Sequence, residues 1–253
     1  MIGIFDSGSG GLTVMRAIRD VLPSADVLYF GDIKHAPYGP RSRAELSRLT
    51  VDAIRLLQER GATSIVSACN SVSASLAVSL FDSFALGAEN LVEMVGPTVS
   101  AFKDTDAHPV LFATQATVDA QIYQTGFHMI GKEVPCIPIP ALAGAIERGD
   151  APGTIDALVR DACAGIDWSA ADTAILACTH YPLALSSFTH ALPKHVRIFD
   201  PADAVAARVE QRFWPREAGD GKTTFLVSKD SETFRAHVAR LFPDIQYTIE
   251  VVE

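Results

Sequence analysis

One short layout occurs twice in this sequence, and it limits the folds that the chain can adopt. In each half, a β-branched strand is followed by a loop and a helix, and the next strand then runs directly into a cysteine. The two segments that end this layout are SIVSACNS at 64–71 and TAILACTH at 173–180. Apolar strands that alternate with amphipathic helices are typical of parallel sheets with crossover helices. We therefore predict an α/β fold with doubly wound, mainly parallel sheets.

Two local patterns make more specific predictions. Ser42 is followed three residues later by Glu45, which is the capping-box pattern, and Gly61 follows the last apolar residues at helical spacing. We therefore expect a helix over residues 42–60. The proline-rich segment 134–140 is instead expected to be an extended connector.

Composition and charge exclude several functional classes. The chain has 253 residues, of which 48% are hydrophobic, so it can bury one large core or two smaller ones. With 21 basic and 30 acidic side chains, its formal net charge of −9 argues against a nucleic-acid partner. No apolar run reaches the ~20 residues of a membrane helix, and Asp6 interrupts an apolar leader. We expect a soluble, cytoplasmic protein without membrane partners.

The chain has four cysteines, and two of them lie in the repeated layout. Cys69 and Cys178 each follow a strand and precede residues that cap helices, so each thiol is expected at the sheet edge where ligands bind. The positive end of a helix dipole there lowers a thiol pKa. Cys136 and Cys163 lack this context and are interpreted as small apolar residues. Four thiols in a chain of this length indicate neither a disulfide framework nor a zinc site.

Two thiols that face each other across one cleft can invert a carbon centre without a cofactor. One acts as the thiolate base and the other as the thiol acid, whereas a single nucleophile needs only one cysteine and an adjacent base. His180 lies two residues after Cys178 and can orient or protonate that thiol. The glycine loop DSGSGG at 6–11 could bind an anion, but it lacks the nucleotide-binding glycine patterns. Its Asp6 either caps the turn or binds a substrate ammonium.

Five motifs occur in order along the chain. They are DSGSGGLTV at 6–14, PYG at 37–39, Cys69-Asn70, Thr114 with Thr117, and ACTHYP at 177–182. Together they resemble the cofactor-independent glutamate racemases of bacteria, in the aspartate/glutamate racemase superfamily. The resemblance implies two α/β domains related by a pseudo-twofold axis, with the active site in the cleft between them. It assigns residues 1–94 and 205–253 to the first domain and 95–204 to the second.

The resemblance also implies an activity and a set of site residues. The activity is racemisation of L-glutamate to D-glutamate for peptidoglycan, with no cofactor and no metal. Cys69 and Cys178 match the two catalytic thiols, and His180 matches a catalytic partner. Glu147 falls where the family has a carboxylate that is thought to work with this histidine. The positions that match substrate contacts are Asp6, Ser7, Tyr38, Gly39, Asn70, Ser71, Thr114, Thr117, Thr179 and His180.

The sequence departs from the family pattern at a few positions. Ser71 stands where threonine is usual, Val72 where alanine is common, and Ala120 where serine is frequent. Ser71 keeps a hydroxyl, so its contact with the substrate is expected to survive. Residues 32–37 also differ from the usual sequence of the family, which leaves the detailed shape of the pocket open. Because the chain starts directly on its first predicted strand, we expect no activation by a cell-wall precursor.

Three alternatives stay open. A racemase of aspartate or of another amino acid would use the same paired cysteines with a pocket of different size. A catalytically silent protein that binds an acidic ligand would need neither thiol, and a single-cysteine hydrolase would leave the second cysteine unexplained. The sequence does not distinguish a monomer from a homodimer.

Overall fold

The computed structural model describes residues 1–73, 86–87 and 89–252, and parallel strands are its main feature. The strands are β1 (Ile2–Asp6), β2 (Val27–Gly31), β3 (Ser64–Ser67), β4 (Leu91–Glu93), β5 (Pro109–Ala113), β6 (Cys136–Pro138), β7 (Thr173–Ala177), β8 (Arg197–Phe199), β9 (Thr223–Val227) and β10 (Thr248–Val251). Every pairing between these strands is parallel.

The strands form two sheets. The first sheet has six strands in the order β10-β9-β2-β1-β3-β4, so it takes strands from both ends of the chain. The second has four strands from the middle of the chain, in the order β6-β5-β7-β8. The α/β class with parallel sheets is therefore confirmed.

Helices connect the strands. They are α1 (Leu12–Val21), α2 (Arg43–Glu59), α3 (Asn70–Ser73), α4 (Val95–Ser100), α5 (Gln115–Asp119), α6 (Ile122–Met129), α7 (Leu142–Arg148), α8 (Pro152–Cys163), α9 (Leu185–Ala191), α10 (Ala202–Phe213) and α11 (Glu232–Leu241), with a short 3-10 helix at Tyr181–Ala184. The capping box of α2 is confirmed, because Ser42 Oγ accepts from the Glu45 N–H while Glu45 Oε2 accepts from the Ser42 N–H. None of the described helices is long and apolar enough to cross a membrane.

The first sheet is covered on both faces because successive side chains of its strands point to opposite sides. On one face, Ile4 and Tyr29 pack with Met15 of α1 and Val205 of α10. On the other face, Phe5 packs against the apolar side of α2. Helix α10 spans the boundary predicted after residue 204 and packs on the first sheet. The domain limits themselves stay a prediction.

The proline-rich segment 134–140 contains an edge strand. Its backbone is extended, and Cys136–Pro138 pairs with β5 as strand β6 at one edge of the second sheet. The predicted extended backbone is therefore confirmed, and the pairing with the sheet is an addition that the sequence did not predict. Proline lacks an N–H donor and is tolerated at the edge of a sheet, where one side of the strand needs no partner.

Candidate active site

A small cavity is lined by residues from both sheets' strand ends and the loops beside them. Cys69 follows β3 of the first sheet and Cys178 follows β7 of the second, and both buried thiols line the cavity. The cavity volume is about 10 Å³, which is room for about one water molecule. The lining residues are Ser7, Pro37, Tyr38, Gly39, Cys69, Asn70, Ser71, Thr114, Ala143, Cys178, Thr179 and His180.

The structure brings the residues predicted from the sequence together. All but three of them line the cavity, and the three others lie directly behind the lining. Asp6 Oδ1 accepts a hydrogen bond from Thr179 Oγ1 at 3.0 Å. Thr117 Oγ1 is 3.0 Å from Thr114 Oγ1, and Glu147 Oε2 is 2.6 Å from His180 Nε2. Pro37 and Ala143 line the cavity without having been predicted, and no polar group marks them in the sequence.

Glu147 and His180 form a buried ion pair next to Cys178. Burial by itself lowers the pKa of His180, but its contacts with Cys178 and Glu147 raise that pKa well above the usual value. Burial raises the pKa of Glu147, but hydrogen bonds from His180 and Ser9 lower it overall. At neutral pH the pair is therefore an imidazolium and a carboxylate, and the cation lies beside the Cys178 sulphur.

Cys69 has a carboxylate near its sulphur, whereas Cys178 has the His180 cation. Burial raises the pKa of the Cys69 thiol to about 12, and the carboxylate of Asp6 adds to the rise. Hydrogen bonds from the Val72 N–H and the Ser7 hydroxyl act in the other direction but are smaller. The lowered pKa predicted for this thiol from a helix dipole is therefore wrong, because desolvation outweighs the dipole.

Two glycines allow the loop after β1 to approach the second half of the site. A Cβ atom on Gly10 would lie 2.6 Å from His180 Nδ1, and a Cβ atom on Gly8 would lie 2.5 Å from Glu147 Oε2. Both distances are shorter than real Cβ contacts. The glycines of this loop are therefore needed for close packing against the His180–Glu147 pair.

Two N–H groups of the same loop already donate to carboxylates of the protein. The Gly8 N–H donates to Asp6 Oδ2 at 2.9 Å, which is the turn-capping contact expected of an aspartate, and the Ser9 N–H donates to Glu147 Oε2 at 2.9 Å. These two donors are therefore not available to a bound anion. The anion-binding interpretation of the glycine loop stays a prediction for its other N–H groups.

Tyr123 of α6 orients the amide of Asn70, and it was not predicted as a site residue. Its hydroxyl donates to Asn70 Oδ1 at 2.6 Å. Asn70 Nδ2 is buried and has no hydrogen-bond partner within the described part of the chain. A buried amide N–H without an acceptor is costly, so this donor on the cavity wall is suited to an acceptor on a ligand.

Asp32 anchors Tyr38 through a hydrogen bond. The Tyr38 hydroxyl donates to Asp32 Oδ2 at 2.6 Å, and the Ser228 hydroxyl donates to Asp32 Oδ1 at 2.7 Å. The position of Asp32 directly after strand β2 is a signal that could have identified it, because polar residues at the carboxyl ends of parallel strands gather at ligand sites.

Hydroxyl groups from the two halves of the site meet at the cavity wall. Ser71 Oγ is 2.9 Å from Thr114 Oγ1, and Thr114 caps helix α5 by accepting from the Thr117 N–H. Ser71 thus presents a hydroxyl to the cavity wall, as its sequence position predicted.

Comparison with known proteins identifies the family. The family model described as Asp/Glu/Hydantoin racemase matches residues 11–209. The chain belongs to this racemase family. A glutamate racemase from Ruegeria sp. (strain TM1040) is 32% identical over 252 aligned residues, which cover 90% of this chain and 91% of that protein. One from Jannaschia sp. (strain CCS1) is 32% identical, with 99% of each chain covered.

The fold agrees with this membership. The crystal structure of glutamate racemase isoform RacE1 from Bacillus anthracis matches with a TM-score of 0.86 and 26% identity, covering 100% of this chain and 97% of that one. The protein is therefore an enzyme of the isomerase class, a racemase. Within the described residues, no group of three or more His, Cys, Asp or Glu side chains is arranged to hold a metal ion.

Proposed function

We propose that this racemase interconverts L- and D-glutamate by two-thiol acid/base catalysis without a cofactor, and that its D-glutamate enters peptidoglycan. One observation carries the proposal: Cys69 and Cys178 line the same buried cavity from the strand ends of different sheets. A thiolate on one side of the α-carbon removes its proton, and a thiol on the other side delivers one. Glutamate is favoured over aspartate because the curated relatives described above are glutamate racemases.

The electrostatics assign a protonated resting state to one of the two thiols. Cys69 is protonated at neutral pH, because burial and Asp6 raise its pKa to about 12. The His180 imidazolium stabilises negative charge on the neighbouring Cys178 sulphur. The proposed mechanism therefore begins with Cys69 as the acid, and racemisation in the opposite direction requires Cys69 to act as the base.

The cavity wall supplies the groups that hold the substrate. Asn70 Nδ2 is placed to donate to a carboxylate oxygen, because it has no acceptor among the described residues. The hydroxyls of Ser7 and Thr114 lie on the same wall and can add further hydrogen bonds. Such fixed donors stabilise the negative charge that develops when the α-proton leaves. Since the cavity holds about one water, the lining must move apart for glutamate to enter.

Incubation of the purified protein with L-glutamate in D₂O, without added cofactor, tests the proposal. We expect the optical rotation to decay to zero and one deuteron to appear at the α-carbon of the D-glutamate formed. Turnover of aspartate but not glutamate would keep the two-thiol mechanism and change the substrate. No change with either amino acid would favour a protein that only binds an acidic ligand. A cytoplasmic location stays a prediction, and the choice between a monomer and a homodimer stays open.

A further inference from the structure

A histidine on the last helix is connected to the candidate site through one serine. His237 of α11 is half-buried, and its Nδ1 atom is 3.1 Å from Ser9 Oγ. Ser9 Oγ is 2.8 Å from Glu147 Oε2, which is 2.6 Å from His180 Nε2. A continuous chain of hydrogen bonds therefore leads from His237 to the imidazole beside Cys178. His237 lies outside the residues matched by the family model.

The direction of these hydrogen bonds follows from the number of protons on each group. Ser9 has one hydroxyl proton, and the Glu147 carboxylate at 2.8 Å is the stronger acceptor for it. His237 Nδ1 must then donate its proton to a lone pair of Ser9 Oγ. From the other side, His180 Nε2–H donates to the same carboxylate oxygen. All four groups thus have compatible donor and acceptor roles.

The arrangement of the Glu147 carboxylate shows what this chain controls. Oε2 accepts from the Ser9 N–H, the Ser9 hydroxyl and His180, whereas the buried Oε1 has no hydrogen-bond partner among the residues described. The orientation of the carboxylate therefore depends on Ser9 and His180 alone. If the Ser9 hydroxyl turned away, Glu147 Oε2 would lose one of its three hydrogen bonds, which is one of the two that Ser9 supplies.

We propose that His237 is a positioning residue for racemisation. Its Nδ1–H keeps the Ser9 hydroxyl proton directed at Glu147, and Glu147 in turn holds the His180 imidazolium against Cys178. Hydrogen bonds in such a chain strengthen one another, because each donor polarises the next. The proposal rests on the proposed function, since it concerns the protonation of one of the two thiols.

The charges around His237 are compatible with a neutral donor. Burial lowers the pKa of His237, and the nearby positive charges of Arg240 and His180 lower it further, while Glu147 raises it. A neutral ring adds no second cation next to the His180 imidazolium. It donates from Nδ1 as the corresponding tautomer.

Three variants separate positioning from simple packing. His237→Leu removes the donor while keeping an apolar side chain, and His237→Asn retains an N–H donor close to the position of Nδ1. Ser9→Ala removes the hydroxyl link and serves if His237→Leu fails to fold. His190→Leu, on the exposed end of α9, is the matched control. We expect kcat/KM to fall about tenfold in His237→Leu and Ser9→Ala, as for loss of one hydrogen bond to a charged network.

Isotope effects provide a readout that packing alone would not change. L- and D-glutamate have equal free energies, so kcat/KM must be equal in both directions in every variant. A defect at Cys178 alone makes proton transfer at that thiol more rate-limiting. In His237→Leu, the primary deuterium isotope effect on kcat/KM should therefore rise for the α-deuterated enantiomer whose proton Cys178 removes. It should fall for the enantiomer whose proton Cys69 removes. His237→Asn and His190→Leu should resemble the wild type.

Two outcomes would overturn the proposal. One is that the isotope effects of His237→Leu match those of the wild type, and the other is that His237→Asn is as impaired as His237→Leu. If the wild type racemises neither glutamate nor aspartate, the proposed function fails by itself. The positioning role is then decided by following the His180 imidazole by ¹H–¹⁵N NMR against pH. A lower His180 pKa in His237→Leu supports the role, and an unchanged pKa refutes it.

Discussion

The Tyr123 hydroxyl and the Asn70 side chain form a buried hydrogen bond of 2.6 Å that determines which end of the Asn70 amide faces the cavity. Because Oδ1 accepts from Tyr123, Nδ2 is the atom available to a ligand, and it has no other partner in the described residues. Tyr123 is itself buried on α6. A residue behind the cavity wall thus determines the chemical character of the wall.

Tyr123→Phe should weaken substrate binding. Without the hydroxyl, the Asn70 amide can rotate and present its oxygen to the substrate carboxylate, which loses one hydrogen bond to a charged group. We expect KM to rise about tenfold with a smaller change in kcat. Steady-state kinetics in both directions checks this, with Tyr247→Phe near the chain end as the matched control. An unchanged KM would contradict the orienting role of Tyr123.

Removal of either thiol should stop racemisation but not all proton exchange. Cys69→Ser and Cys178→Ser each leave one sulphur that can still remove a proton from one enantiomer. We expect no inversion in either direction, and slow α-deuteration of a single enantiomer in D₂O, with the opposite enantiomer exchanged by the other variant. Full racemisation by either single variant would exclude the two-base mechanism.

Glu147→Gln should shift the pH dependence of the reaction. The Glu147 carboxylate raises the pKa of His180, so in the variant the imidazolium should deprotonate at a lower pH. The alkaline limb of the pH profile of kcat/KM should therefore shift to lower pH. The activity at the optimum should also fall. A pH–rate profile with an unchanged alkaline limb would show that His180 does not depend on this carboxylate.

The same ion pair should make folding stability depend on pH in a defined direction. The folded pKa of His180 lies above its unfolded value of about 6.5. The contribution of His180 to the free energy of unfolding is therefore complete below its unfolded pKa. This contribution is lost as the pH rises through the folded pKa. For Glu147, whose pKa is lowered, the contribution is present above its unfolded pKa and is lost as the pH falls through the folded value. Denaturant unfolding should thus show a stability difference between wild type and Glu147→Gln that decreases at both extremes.

Gly10→Ala should damage both stability and activity. Its Cβ would lie 2.6 Å from His180 Nδ1 and from Thr179 Oγ1, so the loop or the histidine must move. We expect a loss of about 1–3 kcal/mol in the free energy of unfolding, as for an overpacked site, and a large fall in kcat/KM. Gly153→Ala is the control, since nothing lies within 4 Å of its Cβ, and it should be neutral or slightly stabilising. Thermal unfolding and kinetics on both variants decide the matter.

The amino-acid sequence by itself determined the class of fold and the composition of the cavity wall. Parallel strands place the residues that follow them at one edge of the sheet, so Cys69 and Cys178 could be assigned to strand ends from local patterns alone. The capping box of α2 could also be predicted from the sequence, because Ser42 and Glu45 lie within one helical turn. The family motifs supplied the hydroxyl and amide groups around the thiols.

Only the tertiary structure decided how these groups are tuned. The high pKa of Cys69 comes from burial beneath both halves of the site, which outweighs the helix dipole that a local pattern suggests. Ser9 and His237 are 228 positions apart in the sequence, and Tyr123 and Asn70 are 53 apart. Contacts of this kind depend on how helices pack across sheets, and no periodicity along the chain records that packing.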